Sequence, residues 1–168
     1  MSELRIYVAC LAAYNNGILY GRWVDATQDA EDIRDEITAM LAASPIPGAE
    51  EYAIHDYDGF GPLNLGEYES IDRIAEIAQG IEEHGEAFSA YLSNDPTADT
   101  FDDDYAGTWD SEEEYAQDFV DSVGGWAGAE IPAELEPYLD WDMITRDLMM
   151  DHWSVKSSDY RVHIFRSY

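Results

Sequence analysis

Residues 5–11, Arg-Ile-Tyr-Val-Ala-Cys-Leu, and 18–24, Ile-Leu-Tyr-Gly-Arg-Trp-Val, are rich in β formers. Between them lies Tyr14-Asn15-Asn16-Gly17. Asn-Gly is a strong hairpin signal because both residues tolerate positive φ, so the pattern predicts an antiparallel pair. The period then becomes helical. Ile33, Ile37, Met40 and Leu41 make one apolar stripe within 29–43, Asp25 or Thr27 can cap it, and Ser44-Pro45-Ile46-Pro47-Gly48 ends it. Glu51 to Tyr57 alternates again, with Tyr52, Ile54 and Asp56 expected on one face and Ala53, His55 and Tyr57 on the other. Asp58-Gly59-Phe60-Gly61-Pro62 stops this third strand, which should add to the hairpin over a single helix.

From Ser70 the spacing of Ile71, Ile74, Ala75, Ile77, Ala78 and Ile81 is helical, and Ser70 is a natural N-cap. Gly85 interrupts, and Ala87, Phe88, Tyr91 and Leu92 make a second short helix ending near Asn94-Asp95-Pro96. Helices this short need tertiary packing. Residues 99–109 read as weakly strand-like. Ser111 caps a helix whose first turn, Glu112-Glu113-Glu114, suits the macrodipole. Tyr115, Phe119, Val120 and Val123 are its expected buried face, and Gly124-Gly125 its end. Two more short helices are expected over 131–139 and 142–150, then strands 152–155 and 160–165 across Lys156-Ser157-Ser158-Asp159. No internal repeat is evident. The pattern predicts an α+β protein of three small consecutive domains: a three-stranded sheet plus helix over 1–61, a short helical bundle over 62–98, and a small sheet with short helices over 99–168.

Charge changes the picture most. The 168 residues hold 37 acids against 8 Lys plus Arg, a net charge of −29. A hydrophobic share of 46% and an aromatic share of 13% exceed what an acidic disordered tail carries, so the chain should fold. Self-repulsion on this scale opposes compaction unless salt screens it, as in halophile proteins; here Lys156 is the sole lysine. Direct nucleic-acid binding is excluded, because phosphates would be repelled. A basic partner is favoured. Cys10 is the lone cysteine, which excludes an intramolecular disulfide and a Cys-based metal site and fits a small buried hydrophobe. Met-Ser-Glu-Leu-Arg-Ile has no leader pattern and no run reaches membrane-spanning length, so a cytoplasmic location is expected.

Catalytic and metal signals are thin. Asp102, Asp104, Gly107, Asp110 and Glu113 fall on EF-hand positions, but Ala106 and Trp109 break the pattern and Pro96 spoils the entering helix. His84-Gly85-Glu86 lacks the Cys half of a deaminase zinc site. His55, His152 and His163 lie in expected strands. Neither a Gly-x-Ser-x-Gly, nor a phosphate loop, nor a dinucleotide fingerprint occurs. A glycosidase pair could be picked from so many acids at will, so that signal has no specificity. The chain reads as a non-enzyme without cofactor or metal. What remains is the distribution of charge: no Lys or Arg stands between Arg73 and Arg146. Duplex DNA carries a charge about every 1.7 Å, so −29 matches about 50 Å of duplex. Asp95, Asp99, Asp102, Asp103, Asp104, Asp110, Glu112, Glu113, Glu114, Asp118 and Asp121 are the candidate phosphate mimics.

Glu51-Tyr52-Ala53-Ile54-His55-Asp56-Tyr57, followed by Leu65-Gly66-Glu67-Tyr68-Glu69-Ser70-Ile71, resembles the ArdA antirestriction family. Residues Ile6–Leu11 with Tyr14–Gly17 and Gly21-Arg22-Trp23 look like that family's N-terminal hairpin. Pro132–Leu135, Tyr138–Asp140 and Arg146–Leu148 are similar to its C-terminal part. The resemblance implies an elongated three-part homodimer, carried by mobile elements, that mimics B-form DNA. It implies binding to the DNA-recognition and methyltransferase core of type I restriction–modification enzymes. The 51–57 and 65–71 motifs are expected to join the first part to the second, and Trp141, Met143 and Met149 are candidates for the dimer contact. The alternatives are an acidic calcium-binding module over Asp102 to Glu113, or a mimic aimed at another basic DNA-binding protein.

Overall fold

The protein is described by a computed structural model covering residues 3–128 and 130–167. Its first sheet is built around β1 (Arg5–Cys10). After it come α1 (Leu11–Asn15), β2 (Gly21–Asp25), α2 (Ala30–Ala42) and β3 (Tyr52–Asp58). Strands β2 and β3 flank β1, both antiparallel, in the order β2-β1-β3. Ile6, Val8 and Cys10 of β1, Val24, Ile54, and Ile33, Ile37 and Met40 of α2 are all buried. Each full burial contributes about 1.5–3 kcal/mol before chain entropy is charged against it. The sheet with one helix is as expected.

The connections differ from expectation. The β1–β2 link is not a tight Asn-Gly turn. Leu11-Ala12-Ala13 has helix propensity, so one helical turn forms, with the Asn16 amide donating to the Ala12 carbonyl at 2.8 Å. Gly17 follows at φ +73, the left-handed residue that closes such a turn. Strand β2 therefore starts at Gly21, three residues late, and Leu19 is left 86% exposed. A bulge also breaks the alternation of β3. Val8 pairs with Ile54 but Tyr7 with Asp56, so His55 is the extra residue. Ile54 and Asp56, expected on one face, lie on opposite faces. The expected cap role of Asp25 is corrected too: Asp25 Oδ1 accepts from both the backbone N–H and the hydroxyl of Thr27, and Asp29 stands at the N-cap of α2.

Gly21 is where β2 comes nearest to β1. A Cβ there would lie 2.3 Å from the Val8 carbonyl oxygen and 2.9 Å from the Ala9 Cα. Both are backbone atoms of the central strand, so neither can swing aside. Gly21→Ala should therefore cost about 2–3 kcal/mol, measured as a lower urea midpoint, although alanine normally suits a chain better than glycine.

Helices α3 (Ile71–His84) and α4 (Glu86–Asn94) pack against each other and meet at Gly85, near the predicted boundaries. Ser70 takes the N-cap position of α3, without a side-chain cap bond. The Arg34 guanidinium ties α2 to Asp72 of α3, and Arg73 Nη2 donates to the Pro96 carbonyl at 2.5 Å. By packing, the chain divides into two compact units, Met1–Ala98 and Asp99–Tyr168, so α3 and α4 belong with the first sheet.

The second unit begins with α5 (Phe101–Asp104) and β4 (Tyr105–Trp109), then α6 (Glu112–Ser122) and α7 (Gly125–Gly128). A 3₁₀ helix at Ala133–Tyr138 leads to α8 (Trp141–Leu148) and a 3₁₀ turn at Met149–Asp151, before β5 (His152–Lys156) and β6 (Val162–Arg166). The sheet order is β4-β6-β5, antiparallel throughout. Its core is aromatic: Phe165 is fully buried, with Trp153 stacked at 4.2 Å and Tyr105 and Phe101 at 5.3 and 6.1 Å. The helices bury less than expected. Tyr115 and Ala116 are the buried residues of α6, whereas Phe119 is 39% and Val123 67% exposed. Nothing in α8 or in the 3₁₀ helix before it is buried.

Candidate functional site

Ten of the eleven candidate acids fall in the second unit. Asp95 lies in the first, at the end of α4. Local sequence decides how each is presented. Ser111 caps α6, its hydroxyl accepting the Glu114 N–H at 3.1 Å, while the Glu114 carboxylate accepts the Asp110 N–H at 2.7 Å. This reciprocal pairing fixes the start of the helix. The first turn then sets Glu112, Glu113 and Glu114 at its positive end. Asp118 and Asp121 follow along the same helix and are exposed. Asp102, Asp103 and Asp104 form most of α5, with Asp104 Oδ2 accepting from the Thr100 hydroxyl at 2.8 Å. Asp99, Asp102, Asp103, Asp110, Glu113 and Glu114 are exposed, whereas Asp104 and Glu112 are half-buried. Glu112 is held by the Ser154 hydroxyl at 2.5 Å.

Asp95 accepts from the Thr97 hydroxyl at 2.7 Å and the Thr97 N–H at 2.9 Å. These bonds, the hydroxyl's foremost, hold its carboxyl below the usual carboxylate range against a small opposing effect of burial. It stays ionised further into acid than an ordinary aspartate. Among the basic groups, the arginines are committed elsewhere. Arg5, Arg22, Arg34, Arg73, Arg146 and Arg161 each pair with a carboxylate, and Arg166 Nη1 donates to the Asp103 carbonyl at 3.0 Å.

The Asp102–Glu113 stretch is not a calcium loop. Residues Tyr105–Trp109 form a strand paired to β6, so the backbone cannot wrap around an ion. Among the described residues no three His, Cys, Asp or Glu side chains gather closely enough to hold a metal. The histidines serve packing. His55 meets the edge of the Tyr14 ring at 4.8 Å, and His84 stacks on Phe88. His163 Nδ1 lies 2.8 Å from the Thr108 hydroxyl. His152 Nδ1 donates to the Leu148 carbonyl and its Nε2 faces the Tyr115 hydroxyl at 2.9 Å. Burial is the main cause that raises the Tyr115 phenol above its ordinary range, with Arg166 opposing. Sequence reasoning missed this Tyr115–His152 pair, since the two residues are far apart along the chain and share no motif.

The two motif blocks meet at the free edge of β3. The Ile54 N–H donates to the Glu67 carbonyl at 2.8 Å, and the Leu11 N–H to that of Glu51 at 3.0 Å. Ala53 and Ile54 are buried and Tyr52, Tyr57 and Leu65 half-buried, while His55, Asp56, Gly66, Glu67 and Tyr68 face solvent. The model of the antirestriction protein family ArdA matches residues 6–162. The chain belongs to the ArdA antirestriction family. Membership supports an antirestriction role, acting on restriction–modification enzymes. No curated protein matches the chain. As an ArdA-family member it has the mixed α+β architecture and acidic surface described above, and among the described residues no helix is long and apolar enough to cross a membrane.

Proposed function

We propose that this ArdA-family chain is a non-enzymatic DNA mimic that occupies the DNA-binding cleft of type I restriction–modification enzymes in the cytoplasm. One observation carries the reading: nine of the eleven candidate carboxylates are exposed, while the arginines are already engaged within the fold. The surface field is therefore close to one sign. Such a field steers the protein toward a cleft lined with Lys and Arg, and a folded scaffold meets that cleft without the cost of bending a duplex.

The test is displacement. A type I methyltransferase core is held with labelled duplex bearing its target site, and the full chain is titrated at two salt concentrations. Displacement near one equivalent that weakens as salt rises is the expected result. Absence of displacement by folded protein sends the search to another basic DNA-binding partner.

The same reading includes a homodimer. Val123, Leu135, Tyr138, Met143 and Met150, all in the second unit, are each more than half exposed. Of the residues singled out from sequence, Met143 is exposed and Trp141 and Met149 half-buried. Met143→Asp should shift the sedimentation coefficient from dimer to monomer while leaving the far-UV spectrum unchanged.

A further inference from the structure

The loop between β5 and β6 contains a residue whose placement the fold itself does not repay. The Tyr160 N–H bonds the Ser157 carbonyl at 3.2 Å, and the Ser157 N–H bonds the Arg161 carbonyl at 2.9 Å. This is a tight turn whose last residue must be left-handed, a position that favours Gly or Asn. Tyr160 fills it at φ +68. A bulky side chain there is strained. Strain of this kind is normally offset by packing, yet Tyr160 is 93% exposed, the highest value among the exposed large hydrophobics. The turn around it is tied by side chains as well. Asp159 takes bonds from Arg161 and the Ser157 hydroxyl, which hold its carboxyl far below the usual range. A projecting aromatic ring on a turn closed by its own hydrogen bonds is the form of a binding anchor, because the backbone that carries it is already placed and a tyrosine has only two side-chain torsions to order.

We propose that Tyr160 is an aromatic anchor that enters the pocket in which the restriction–modification enzyme holds a base drawn out of the DNA stack. This rests on the DNA-mimic reading above and extends it from phosphates to a base. Methyltransferases take their target base out of the duplex and hold it between aromatic or apolar side chains. A phenol ring offers such a pocket a flat π-face with a polar edge, as a base does. The exposed carboxylates of the chain would stand in for the backbone, and the ring for what the backbone delivers.

Tyr160→Asn and Tyr160→Phe separate this role from a structural one. Asn suits the left-handed position, so Tyr160→Asn should melt no lower than the parent, yet displace duplex from the methyltransferase core about 10- to 100-fold less well. Tyr160→Phe should displace nearly as well as the parent. A drop in melting temperature for Tyr160→Asn would assign the ring an internal role and overturn the proposal, as would unchanged displacement. A core whose base-stacking aromatic is replaced by Ala provides the second arm. There the Tyr160→Asn penalty should largely vanish, and a penalty that persists undiminished overturns placement in the base pocket. If the parent chain displaces nothing, the DNA-mimic reading fails first; if the parent displaces and Tyr160→Asn matches it, the anchor alone fails.

Discussion

Replacing Asp103, Asp110, Glu113, Asp118 and Asp121 together by Asn or Gln should weaken displacement of duplex from a type I methyltransferase core by about 30-fold. All five are exposed, and together they span α5, the end of β4 and α6. An exposed charge pair is worth about 0.2–1 kcal/mol, so each single change should cost only about 2-fold. The sum is large because the sites are many. The loss should fall mainly on association and shrink as salt rises, since steering and screening are two sides of one field. Folding should respond in the opposite direction, with the melting temperature at low salt rising as self-repulsion is relieved. One substitution that abolished inhibition while the other four did nothing would sink the distributed mimic.

Phe165→Ala should come close to unfolding the second unit. The ring is fully buried on the central strand of its sheet, against Trp153, Tyr105 and Phe101. Truncation of a core Phe costs about 3–5 kcal/mol, to which the aromatic contacts belong. A unit of roughly 70 residues has only about 4–10 kcal/mol to lose. Loss of hydrogen-exchange protection at β4, β5 and β6 amides, with a sharp fall in urea midpoint, is the expected result. Near-parental protection at Ile164 would mean that the strand is held by its ladder and not by its rings.

The contrast between these two substitutions explains what was legible in the sequence. Elements defined by a stripe of apolar residues over one core came out close to their true bounds: α2 through Ile33 and Ile37, α3 through Ile74 and Ile77, and α6 through its Ser111 cap. Features set by backbone geometry did not. The helical turn after β1 competes with an Asn-Gly hairpin on small differences in propensity, and the bulge at His55 leaves no mark in a seven-residue alternation. The burial of Phe119 and Val123 was misjudged because helical spacing shows which side of a helix is apolar, but not whether anything covers it. The acids were readable as a class, and their exposure followed from the core residues between them. Tyr160 was not readable at all, since its meaning lies in a dihedral angle.

The way the carboxylates are mounted has a consequence for descent. Most project from short helices into solvent, and apart from Glu112, which Ser154 holds, internal partners such as Thr97, Thr100 and Gln117 are near neighbours. An Asp lost at one position can be replaced by a Glu elsewhere at almost no cost to folding or to the field. Selection on such a surface acts on total charge and rough spacing, so its letters are free to drift. The residues around Ile54 and Glu67, which tie one segment of the chain to another through the backbone, have no such freedom. Under the proposed mimicry, lineages of this protein should therefore grow unlike one another fastest among the exposed acids, and stay recognisable by the segments that the backbone ties together.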